Sequence, residues 1–176
     1  MKLASLFALL IITTPAFVFG QNADWVAKLK SVKIFKSTRH DVERLFRDYE
    51  KTDELVVGSS TNLTFERDGV IVRAYFSNGR CSENPEAIYD VARGIVISIS
   101  GGTSEPLPIS VLGIELKKFR KQGVEDVSGR FTYTNEDNGM RFYGSSTRFS
   151  DLDFEPSAKQ EAFALCKPGR TNVGNR

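Results

Sequence analysis

The chain has 176 residues, with 24 lysines and arginines against 22 aspartates and glutamates, a formal net charge of +2. No block of five like charges occurs, which argues against a nucleic-acid footprint or a polybasic membrane patch. One histidine and two cysteines are too few for an ordinary zinc site, and they leave His40 as the sole base available to any serine triad or cysteine dyad.

The first twenty residues, "MKLASLFALLIITTPAFVFG", place Lys2 before an apolar run that ends at Thr13, Thr14 and Pro15. Val18 and Gly20 suit the −3 and −1 positions of a cleavage site, so residues 1–20 read as a secretory signal peptide. The run is shorter than the roughly 20 residues of a spanning helix. Cleavage near Gly20 predicts a secreted or periplasmic chain from Gln21 to Arg176, long enough for one α+β domain over residues 21–166. In an exported chain an even cysteine count argues for a disulfide between Cys81 and Cys166. The rival readings are two free thiols or a catalytic thiol.

From Gln21 to Lys36 the apolar residues Trp25, Val26, Leu29, Val32, Ile34 and Phe35 dock a segment that starts as a helical turn and ends extended. "STRHDVERLF" at 37–46 then reads as a capped helix. Thr38 and Asp41 form a capping-box-like pair, and Val42, Leu45, Phe46 and Tyr49 fall on one helical face. Glu43 and Arg47 are set for an i, i+4 ion pair, and His40 faces solvent in the first turn.

"NLTFERDGVIVRAYFSNG" is a hairpin closed at Asp68-Gly69. Val70, Val72, Ala74 and Phe76 point one way; Ile71, Arg73 and Tyr75 point the other. "GIVISIS" at 94–100 reads as a strand with Ile95, Ile97 and Ile99 on one face, ended by Gly101, Gly102, Pro106 and Pro108. "PISVLGIELKKFRK" offers a helical turn or two, "RFTYTNEDNGMRFYG" a second hairpin around 135–139, and "TRFSDLDFE" a strand with Leu152 and Phe154 on one face. Pro156 and Ser157 start a short helix before Cys166, and residues 167–176 read as a disordered tail. The fold class is therefore α+β: an antiparallel sheet with helices packed on one face. A tandem helix–hairpin repeat over 21–100 and 101–166 is a further expectation.

"STRHDVERLF", "VRAYFSNGRC" and "YTNEDNGMRF" resemble segments of a group of uncharacterised exported bacterial proteins, in which an S-T-R-x-D-V-E-x-L helix precedes a hairpin and cysteines close each half. The likeness covers most of the chain after residue 25 and implies no known activity. This chain departs from that group in carrying "EAIYDVARG" in its middle region. More distantly, a capped helix followed by hairpins is similar to the repeat of the small outer-membrane assembly lipoproteins of the SmpA/OmlA type, and to the unit of β-lactamase-inhibitory proteins. Those resemblances imply protein binding rather than catalysis. A lipobox cysteine is missing here.

Candidate chemistry is sparse. Asp151, Asp153 and Glu155 alternate along a strand and share a face, which suits either Ca²⁺ or a solvated strand face, the latter being the simpler account. "TNEDNG" lacks calcium-loop spacing, "SISGGTSE" lacks phosphate-loop spacing, and "NLT" at 62–64 is a glycosylation sequon. No catalytic residue, metal or cofactor is assigned. The informative feature is a face: alternation places Arg73, Tyr75, Arg130, Thr132, Arg141 and Tyr143 together, residue types enriched at protein interfaces. The expected function is an exported, non-enzymatic binding module that meets an envelope protein or other extracytoplasmic partner and no nucleic acid. The alternative is a small secreted hydrolase using carboxylates.

Overall fold

The computed structural model describes residues 23–123 and 129–166; the expected signal peptide and tail lie outside them. Helix α1 (Asp24–Ser31) opens the fold, with Asp24 in its first turn and Lys28 and Lys30 in its last, each at the end its charge favours. It buries Trp25, Val26 and Leu29 completely or nearly so. Helix α2 (Arg39–Leu45) begins at a true capping box, in which the Thr38 hydroxyl accepts from the Asp41 amide and the Asp41 carboxylate accepts from the Thr38 amide. The helix stops at Leu45, so Tyr49 packs from beyond its end, edge-on against Phe46. The expected Glu43–Arg47 pair does not form, because Glu43 accepts from Arg39 one turn earlier.

Eight strands follow: β1 (Glu50–Val57), β2 (Ser60–Arg67), β3 (Val70–Ser77), β4 (Val96–Pro108), β5 (Arg120–Gly123), β6 (Phe131–Asn135), β7 (Met140–Gly144) and β8 (Arg148–Phe154). They form one sheet in the order β1-β2-β3-β4-β8-β7-β6-β5, antiparallel throughout. Two four-strand meanders are thus joined at β4 and β8. The β2–β3 turn has Asp68 and Gly69 at φ 52° and 74°, the positive values that a tight two-residue hairpin requires.

The expected helix–hairpin repeat is not what the fold shows. The second meander is preceded by two single 3-10 turns, Ile109–Leu112 and Leu116–Lys118, in place of α-helices. Helix α3 (Ala158–Ala164) is capped by Ser157 and Gln160 and meets the segment between α1 and α2. Gln160 Nε2 donates to the Ile34 carbonyl, and Tyr89 and Leu165 form a bridge beside the Cys81–Cys166 disulfide.

Two expectations about β4 are corrected. A bulge opposite Tyr75 and Phe76 shifts the alternation, so the buried residues are Val96 and Ile99, while Ile95 and Ile97 are half-exposed. The strand also continues through Gly101-Gly102 to Pro108 for 13 residues. A Cβ on Gly101 would lie 2.8 Å from both the Trp25 ring and Leu29 Cδ1, so glycine there lets α1 lie directly on the sheet. One core joins α1, α2 and the inner sheet face. It includes Phe65 stacked on Phe46, and Phe142 stacked on Tyr133 with ring centroids 4.6 Å apart. No described helix is long and apolar enough to cross a membrane.

Candidate binding face

With α1 and α2 on one face, the alternate residues of each strand form the other. The strand registers arrange them in rows. One row runs Thr64, Arg73, Ser100, Asp153, Arg141, Thr134, Arg120; the next runs Ile71, Gly102, Asp151, Tyr143, Thr132, Gln122. Five of the six residues expected on one face, Arg73, Tyr75, Thr132, Arg141 and Tyr143, therefore share it. Tyr75 stands one row beyond Arg73, between Asn62 and Ser98. Arg130 precedes β6 and joins the face at its rim.

The middle of this face is concave. A cavity of about 580 Å³ is lined by Ile71, Arg73, Arg130, Tyr143, Asp151 and Asp153, with Gly101 and Gly102 as its floor. A Cβ on Gly102 would approach Asp151 Oδ1 to 2.6 Å, so the absent side chain leaves room for that carboxylate. A second depression of about 440 Å³ adjoins across Tyr143, lined by Arg120, Thr132, Arg141 and Glu155, with the start of α3 at its rim.

Both signs of charge meet here. Arg141 Nη2 lies 2.6 Å from Glu155 Oε2, and Ser150 donates to Asp151 Oδ2 at 2.5 Å. Asp153 sits directly between Ser100 and Arg141 across the neighbouring strands. Burial pushes its carboxyl up to about 6; Arg141 opposes the shift, and the charges of Glu155 and Asp151 add to it. The alternating "DLDFE" pattern made the shared face of these three acids legible, whereas the half-burial of Asp153 comes from closure of the second meander onto β4.

Other expected positions are plain. His40 is exposed in the first turn of α2. Cys81 and Cys166 are bonded, with Cα atoms 5.8 Å apart across 85 residues of sequence. No group of three or more His, Cys, Asp or Glu residues is placed to hold a metal ion among the described residues. No family model, curated protein or solved structure matches this chain.

Proposed function

We propose that this chain is an exported, non-enzymatic binding module whose concave sheet face meets an envelope protein or other extracytoplasmic protein. The observation that carries this reading is that Ile71, Arg73 and Arg130 line one depression and Arg120 and Arg141 its neighbour, with Tyr143 shared by both, on the face turned away from α1 and α2. Arginine and tyrosine are the residue types most often energetically dominant at interfaces, and a depression gives a partner side chain a place to desolvate. The disulfide fits an oxidising compartment, and with it the reading of residues 1–20 as a signal peptide cleaved near Gly20.

The test is affinity capture from envelope extract with the disulfide-bonded chain, beside a Tyr75→Ala/Tyr143→Ala double variant and Arg73→Glu. A partner retained by the parent and lost from both variants, with unfolding curves unchanged, supports the reading. Equal retention by all three makes this an ordinary solvated face.

A small carboxylate hydrolase is the second reading. It is favoured by one observation: Asp153, raised to about 6, lies two residues from Asp151 in the same cavity. Turnover of glycoside or ester substrates that disappears in Asp153→Asn and Asp151→Asn would replace the binding reading with this one.

A further inference from the structure

The two edges of the sheet are unlike. Edge strand β1 is exposed along its whole length and carries Glu50, Lys51, Asp53 and Glu54, a net charge of −2. Edge strand β5 is equally exposed and carries Arg120 and Lys121, a net charge of +2. An exposed edge presents a row of unpaired backbone groups, and charge ordinarily keeps such edges apart. Within one copy Glu54 already pairs with Arg39 and Lys51, and Arg120 with Glu136, so the surplus charge is that of Glu50 and Asp53 on β1 and of Lys121 on β5. Each edge repels its own kind and attracts the other.

The topology makes the attraction usable. Eight strands alternate in direction across the sheet, so β1 and β5 run in opposite senses. A second copy in the same orientation therefore presents its β1 antiparallel to β5 of the first, with the α1–α2 side of both copies on one side. We propose that the protein self-associates head to tail through its sheet edges, β1 of one copy pairing with β5 of the next.

Side-chain parity supplies a register. Glu54 is opposite Leu63, and Lys121 is opposite Tyr133, so both belong to the core side of the sheet. Setting Glu54 against Lys121 brings Val56, exposed in the single copy, beside Phe119, which precedes β5. On the other side the same register sets Asp53 against Gln122, with Arg120 diagonally in reach. Opposite charges and apolar partners each stabilise cross-strand pairs. The bulge between Lys51 and Asp53 ends the regular edge just before this stretch. The pairing is heterologous, so it generates an open chain of copies rather than a closed dimer. Few residue pairs take part, which places the contact at the weak end of interfaces.

The experiment is sedimentation velocity on the disulfide-bonded chain up to about 1 mM, where weak contacts populate, at low and high salt. The expected result is a weight-average mass that rises past the dimer with concentration and falls with salt, as screening shortens the reach of the charges. Lys121→Glu alone and Glu54→Lys alone should each weaken association about tenfold or more, the scale of a lost charge pair. An equimolar mixture of the two should restore it, because every contact in an alternating chain again joins opposite charges. Circular dichroism confirms that each variant is folded, and if Glu54→Lys unfolds, Asp53→Lys with Arg120→Glu, which lie in reach on the other side of the sheet, replaces the pair. A monomer at all concentrations overturns the proposal, as does a closed dimer that neither variant weakens.

Discussion

Arg39 holds Glu54 with two hydrogen bonds, Nη1 to Oε1 at 2.7 Å and Nη2 to Oε2 at 2.9 Å, and its Nε reaches Glu43 at 3.0 Å. The first residue of α2 thereby fastens the outermost strand of the sheet. Fork-on-fork pairing of this kind fixes geometry as well as charge. Arg39→Ala should speed amide exchange along β1 while leaving exchange in β3 and β4 unchanged. Arg39, followed by Lys51, also pulls Glu54 down to about 2. A depressed carboxyl contributes stability above its ordinary value of 4.5 and loses it as pH falls toward 2, so β1 should loosen over that interval. Exchange that is uniform across the sheet in the variant would contradict the tether.

Gly101→Ala should destabilise the fold by about 1–3 kcal/mol, the usual cost of overpacking a filled core. The added methyl would meet the Trp25 ring and Leu29. Urea unfolding measures the loss. Gly94→Ala is the comparison: a Cβ there meets nothing within 4 Å, and any cost comes from its positive φ of 77° alone.

Asp153 works against the fold when ionised. Its carboxyl titrates at about 6 in the folded chain against an ordinary 3.8, so the folded state holds the proton more tightly. Stability from this group is present below about pH 4 and lost as pH rises through 6. Asp153→Asn should raise stability at pH 7.5 by about 1–3 kcal/mol, the upper figure being the full shift without solvent screening. The difference from the parent should vanish near pH 3.5. Thermal melts at the two pH values decide it, and an equal difference at both would assign the effect to packing.

The Cys81–Cys166 bond ties the segment after β3 to the end of α3, where Cys166 N donates to the Ile88 carbonyl and Asp90 N to the Ala164 carbonyl. Closing a loop of 85 residues restricts the unfolded chain, so the Cys81→Ser/Cys166→Ser double variant should lose up to about 4–5 kcal/mol in the chain-entropy model. Urea unfolding without reductant is the measurement. Two alkylatable thiols in native protein from an oxidising compartment would instead show that the bond does not form there.

The legible parts of the fold were those with strong local chemistry. The Thr38–Asp41 cap, the Asp68-Gly69 turn and the alternation of β3 and β8 each follow from a few neighbouring residues. Strands β1 and β5 were not visible because they are edges. Exposed on both sides, they lack the apolar alternation that marks a half-buried strand. The phase of β4 is hidden in the sequence because its bulge depends on β3 and leaves no mark in the "GIVISIS" run. The glycine pair read as a break for a similar reason: only the approach of Trp25 shows why a side chain is missing at Gly101. The binding face was legible as a pattern of Arg and Tyr, but its concavity and the burial of Asp153 arise where β4 meets β8, between residues about 50 apart in sequence.

The chain has a single tryptophan, and it lies against Gly101, whose other side floors the cavity. No side chain stands between the indole and that floor. The molecule thus carries its own optical probe on the far side of the surface assigned to binding. A partner that presses on Gly101 and Gly102 would disturb the ring from behind and change its emission. One that docks only on the rim arginines would leave the emission as it is, so intrinsic fluorescence separates occupancy of the depression from contact around it.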